Sequence, residues 1–194
     1  MVEKKTISRG EKRRKQIFRS LHDCILKKGY AKTTLAEIAH SAGMTPSHLL
    51  YYFKGKEAIL EEYFQNVAQQ ILERMNSYRD LPPREQIDHL TELFFGGVGI
   101  TKSEIGFMLE CFGAAVNDKV LRLEKGELDI QCKDYLTELF AANERTFISS
   151  ESDSAEVCYA MLIGLRSAVY FDDNLELPDA YRLFKTTTLN MAGL

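Results

Sequence analysis

Between Thr33 and Lys56 the chain gathers side chains that donate hydrogen bonds or carry positive charge: Thr34, Thr45, Ser47, His48, Tyr51, Tyr52, Lys54 and Lys56. Hydroxyls, phenols, an imidazole and ammonium groups at this density suit contact with phosphate oxygens and base edges, where hydrogen bonds both position and specify. The same residue types elsewhere offer no catalytic set. His22, His40, His48 and His89 form no i, i+4 pair, and there is neither a Gly-rich phosphate loop nor a GxSxG elbow. Cys24, Cys111, Cys132 and Cys158 lack the spacing of a metal site and read as reduced, mostly buried thiols. The expectation is therefore no enzyme, no metal and no cofactor.

Charge agrees with a polyanion partner. Residues 1–56 hold thirteen Lys and Arg against four acids, a net +9, which leaves −12 for residues 57–194 against a total of −3. Counterion release favours the basic part on nucleic acid, and repulsion turns the acidic part away from it. An incidental solvated charge run is the alternative. Hydrophobic residues make up 45% and charged residues 27%, the composition of a globular protein able to bury a core. The longest apolar run, Leu93 to Ile100, is broken by glycines and falls short of the roughly 18 residues of a span. No signal-like apolar stretch opens the chain, so a cytoplasmic protein without membrane contact is expected.

The elements that must position these residues are helices. Residues 1–8 are polar and expected to be a mobile arm. From Arg9, Ile17, Leu21, Cys24 and Ile25 repeat at helical spacing until Lys27, Lys28 and Gly29 signal a stop. Thr34 and Glu37 form a capping-box pattern for a second helix with Leu35, Ile38, Ala39 and Ala42 on its apolar side. Gly43 suits a sharp turn, Thr45 a cap, and Pro46 the first position of a third helix. Helix, short turn, helix is a helix-turn-helix.

Residues 9–64 resemble the DNA-binding domain of the TetR family of bacterial transcriptional regulators. The likeness runs through Thr33-Thr34, Ile38-Ala39, Ala42-Gly43-Met44, Leu49, Tyr51-Tyr52-Phe53, Lys54-Gly55-Lys56 and Glu57-Ala58-Ile59-Leu60. It covers the first third of the chain and implies double-stranded DNA as a partner. At Leu50 the chain departs from the pattern, which commonly has a tyrosine there, so Tyr51 or Tyr52 must supply that phosphate contact. With the third helix in a major groove, Pro46, Ser47 and His48 are the base-reading candidates. Thr34, Tyr51, Tyr52, Lys54 and Lys56 are phosphate candidates, and Thr45 belongs to the same surface. His48 as a solvent-exposed residue without a role is the alternative. Leu49 and Phe53 are expected in the core with Ile17, Leu21 and Ile38.

Beyond the motif, Ile59, Tyr63, Val67 and Ile71 form a stripe expected to run to Leu81-Pro82-Pro83. Further stripes follow at Ile87, Leu90, Phe94 and Val98, at Ile105 to Val116, and at Leu128 to Leu139, with no strand pattern among them. Asp153 with Glu156 reads as the cap of another helix, apolar nearly all round and thus covered from two sides. Pro178 opens the last helix. The fold expected is all-α: an N-terminal three-helix domain (1–56) and a helical effector-binding and dimerisation bundle (57–194), about nine helices in all.

The resemblance implies a homodimer built on the last two helices, and the interface candidates are Tyr159, Leu162, Ile163, Arg166, Tyr170 and Phe184. An intrachain core helix is the alternative. It also places an effector pocket in the middle of the chain, where Phe94, Phe95, Phe107, Met108, Cys111, Phe112 and Tyr135 would suit a mostly apolar small molecule. Core packing is the alternative for each. The function expected is a dimeric, sequence-specific DNA-binding regulator, a repressor released from a palindromic operator by that effector, with residues 56–80 as the lever. The competing reading is a DNA binder of the same fold with an architectural role and no ligand.

Overall fold

The computed structural model describes residues 8–97, 99–142 and 150–194. The expected arm, except Ser8, lies outside the described residues. So do Val98, the last residue of the stripe that begins at Ile87, and residues 143–149.

Nine α-helices and one π-helical stretch make up the regular structure of the described residues, and no strand is among them. α1 (Arg9–Lys28) is capped by Ser8, whose side chain accepts from Glu11 N while the Glu11 carboxylate accepts from Ser8 N. Gly29 ends it at φ 82°, a conformation that favours glycine. α2 (Leu35–Ser41) carries the predicted Thr34–Glu37 capping box, and α3 (Pro46–Leu50) is capped by Thr45 with Pro46 in its first turn. The turn between them passes through Gly43 at φ 64° and is closed by Met44 N donating to Ala39 O at 3.0 Å. Ile17, Leu21, Ile38, Leu49 and Phe53 are buried together, as the periodicity requires.

α4 (Lys56–Asn76) runs from this unit into the bundle. It stops before the expected Leu81-Pro82-Pro83, because Ser77 Oγ donates back to Arg74 O at 2.6 Å and the following residues form turns. α5 (Pro83–Thr91) passes into the π-helical stretch Glu92–Gly96, followed by α6 (Lys102–Ala115) and α7 (Lys119–Ala141). α8 (Glu151–Phe171) begins earlier than the Asp153–Glu156 pattern suggested: Ser150 is its cap, accepting from Asp153 N at 3.0 Å. α9 is Leu177–Met191.

α1 packs on α2, α4 and α6; α7 packs on α4, α6 and most extensively on α8; α9 covers α5, the π-helical stretch and α8. Two glycines permit close approaches in this arrangement. A side chain at Gly106 of α6 would strike the Tyr170 ring of α8, and one at Gly96 would meet Tyr181 of α9 at 2.9 Å. Cys111, Cys132 and Cys158 are buried, Cys24 half-buried, and all four are free thiols. No helix among the described residues is long and apolar enough to cross a membrane.

Candidate nucleic-acid interface and internal cavity

α3 presents a single outer surface. Thr45, Pro46, Ser47, His48, Leu50 and Lys54 are exposed, and Tyr51 is 83% exposed, while Leu49 turns inward. Tyr52 is half-buried between His48 (ring centroids 5.6 Å) and Tyr51 (5.3 Å, edge-on). Such a surface offers hydroxyls, an imidazole and an ammonium with few competing partners inside the chain. It is also braced from behind. Arg14 of α1 reaches Glu62 of α4 at 2.5 Å and the Tyr52 carbonyl at 3.4 Å, and lies over the Phe53 ring, while Gln16 Nε2 donates to Ala42 O at 2.8 Å. Neither brace is legible in the sequence, where Arg14 is one more residue of a basic helix face.

Two phosphate candidates are already engaged. Lys56 Nζ donates to Tyr30 O at 3.1 Å and Thr33 O at 2.9 Å and lies 4.5 Å from the Tyr30 ring centroid, so it clamps the start of α4 to the loop after α1. These carbonyls, with Ala31 O at 3.5 Å, compete with a phosphate for the three donors of the ammonium group. Thr34 is exposed, but its hydroxyl donates to Glu37 Oε2 at 2.5 Å within the capping box. The Glu37 carboxylate is held well below its usual range, at about 2, first by the hydrogen bond from Lys28 and then by those from the Thr34 hydroxyl and backbone.

Behind this unit lies a cavity of about 310 Å³ lined by α4, the π-helical stretch, α6, α7 and α8. Phe94, Phe107, Met108, Cys111 and Phe112 line it, as expected from the sequence. Phe95 and Tyr135 do not. Successive residues of a helix point about 100° apart, so when Phe94 enters the cavity Phe95 turns to α9, where its ring centroid is 5.3 Å from that of Phe184. Tyr135 is buried elsewhere, its hydroxyl donating to Gln86 Oε1 at 2.7 Å, the partner a buried phenol needs. Burial pushes the Cys111 and Cys132 thiols at the cavity wall up to about 12.

Most of the interface candidates face inward, Tyr170 being 38% exposed. Tyr159, Leu162, Ile163 and Arg166 stand on the cavity side of α8, Phe184 is buried in the chain's own core, and Tyr170 covers Gly106. The α8 face left open is the other one: Val157, Met161, Gly164, Ala168 and Phe171, spaced four, three, four and three apart, with Val157 47% and Phe171 73% exposed. Reasoning from sequence also missed the α4 contribution to the cavity, through Tyr63, Phe64, Val67, Ala68 and Ile71. The one sequence signal for the α8 wall was Arg166, a lone basic residue in an otherwise apolar stretch.

A braced helix-turn-helix with an exposed polar reading helix, joined through one continuous helix to an all-helical bundle, defines a DNA-binding transcriptional regulator. Residues 17–63 match the model of the bacterial regulatory proteins of the tetR family, which identifies this segment as a TetR-type DNA-binding domain. Solved structures of the same fold extend the match over nearly the whole length. A transcriptional regulator from Rhodococcus sp. Rha1 superposes with a TM-score of 0.80 at 13% identity, over 93% of this chain and 96% of that one. A TetR transcription regulator from Haloarcula marismortui gives 0.79 at 13% identity, over 94% and 97%. A Saccharomonospora viridis protein solved in complex with choline gives 0.80 at 17% identity, over 92% and 96%.

Proposed function

We propose that this regulator is a homodimeric repressor released from a palindromic operator by a small, mostly apolar molecule held in the cavity. The observation that carries the reading is that α4, the helix continuing from the DNA-reading unit, is itself a cavity wall through Tyr63, Phe64, Val67 and Ile71. A ligand that fits one position of α4 better than another shifts the population towards it, and with it the spacing of two reading helices. The reading assigns DNA contact to residues 1–56 and effector binding and dimerisation to 57–194. On the DNA side it uses Pro46, Ser47 and His48 at base edges and Tyr51, Tyr52 and Lys54 at phosphates.

Dimerisation follows from the size of one reading helix. Two copies related by two-fold symmetry reach successive major grooves about 34 Å apart. The open α8 stripe at Val157, Met161, Gly164, Ala168 and Phe171, beside the exposed Leu183 of α9, supports a helical interface between copies. A filled bundle would have favoured the architectural alternative; the cavity favours the ligand-responsive one.

The test is to select DNA fragments bound by the protein from its source genome and repeat the selection with candidate metabolites. One palindromic site lost on adding one compound supports the proposal. Many unrelated sites, indifferent to every compound, would overturn it in favour of the architectural role.

A further inference from the structure

The cavity lining is mostly apolar and aromatic, and its charged or amide-bearing members are Arg166, Arg74, Glu104 and Gln70. Arg166 is only 8% exposed. Its Nη1 donates to Phe94 O at 2.7 Å, at the end of the π-helical stretch, and its Nε has no hydrogen-bond partner among the described residues. A guanidinium carries five N–H donors, and one carbonyl leaves most of them idle. Burying a cation without a counter-charge is costly, so such groups are normally paired. Among the described residues the only carboxylate on the wall is that of Glu104, half-exposed and 3.0 Å from His22 Nε2; its charge favours the Arg166 cation from a distance, but no ion pair within 4 Å joins the two. Burial pushes the Arg166 group down to about 10, so it remains a cation at neutral pH.

We infer that the cavity takes an apolar monocarboxylate, alkyl or aryl, whose carboxylate accepts hydrogen bonds from the idle Arg166 donors while its hydrocarbon body packs on Phe94, Phe107, Met108 and Phe112. The inference rests on the proposed effector role of the cavity and deepens it by naming the ligand class. A planar fork of donors matches a carboxylate in two parallel hydrogen bonds, and the burial of Arg166 strengthens them. The second guanidinium, Arg74, leaves the wall with an excess of positive charge. A cationic ligand would add like charge beside a buried, unpaired cation, and a neutral one would leave Arg166 as it is.

Calorimetric titration of the full-length protein with decanoate, 1-decanol and decyltrimethylammonium separates these cases. Decanoate is expected to bind at least about tenfold tighter than decanol, and the ammonium compound weakest. Arg166→Gln is expected to cost decanoate about ten- to hundredfold, the size of a lost charge-assisted hydrogen bond, and to leave decanol unchanged. Equal binding of acid and alcohol, preference for the ammonium compound, binding of none of the three, or an acid preference surviving in Arg166→Gln would each overturn the inference. If Arg166→Gln does not fold, the wild-type ranking decides alone. Operator affinity, followed in parallel, keeps the two readings apart. Decanoate that binds through Arg166 without altering operator affinity upholds the ligand class and removes the release mechanism.

Discussion

His22 Nε2 lies 3.0 Å from Glu104 Oε2, and this contact ties α1, on which α2 packs, to a residue of the cavity wall. Phe107, one turn further along α6, reinforces it with its ring centroid 4.5 Å from that of His22. A second tether, Tyr30 N donating to Glu110 Oε2 at 2.8 Å, joins α6 to the loop that Lys56 also grips. The reading unit is thus fastened to the cavity through α6 as well as through α4.

Glu104→Ala should therefore loosen communication rather than folding. Using the compound that the genomic selection yields, we expect the ligand-induced change in operator affinity to shrink by about 0.5–2 kcal/mol, the usual scale of such couplings. Anisotropy titrations with and without ligand measure it. An unchanged coupling would take this contact out of the route.

Lys54 and Lys56 should separate cleanly. Lys54 is exposed, so Lys54→Ala is expected to lower the slope of log affinity against log salt by about one unit. Lys56→Ala removes a clamp on carbonyls and should lower stability by about 1–3 kcal/mol with little change in that slope. Salt titrations and thermal melts of both variants provide the comparison; a slope lowered in Lys56→Ala as well would uphold its phosphate role.

Gly164 probes the proposed dimer. A side chain there meets nothing within 4 Å in its own chain, so Gly164→Leu should leave the protomer folded while blocking close approach of two α8 helices. Sedimentation equilibrium is expected to show dimerisation weakened to a monomer-dominated state. A dimer of unchanged affinity would move the interface elsewhere.

Acid should weaken the start of α2. The Glu37 carboxyl, at about 2 when folded against an ordinary 4.5, contributes stability that is fully present above 4.5 and is lost as pH falls towards 2. In Glu37→Gln that part of the acid dependence should vanish, read from melting temperatures between pH 5 and pH 2. Parallel wild-type and variant curves would remove Glu37 as its source.

The sequence by itself determined the local elements of the reading unit. Thr34–Glu37, Gly43, Thr45 and Pro46 act over three or four residues, through capping and turn geometry that neighbours in the chain dictate. It also determined that the remainder is helical, because the apolar period is 3.6 throughout. Only the tertiary structure decided which way helices facing two partners would turn. α8 is apolar on several sides, so its sequence suits a core wall and an open face equally, and packing against α6 and α7 chose the side with Tyr159, Leu162, Ile163 and Arg166 for the cavity. The same holds for Lys56 and Phe95. A side chain's type limits what it can touch, but its partners come from segments distant in the chain, and those meet only when the helices are packed.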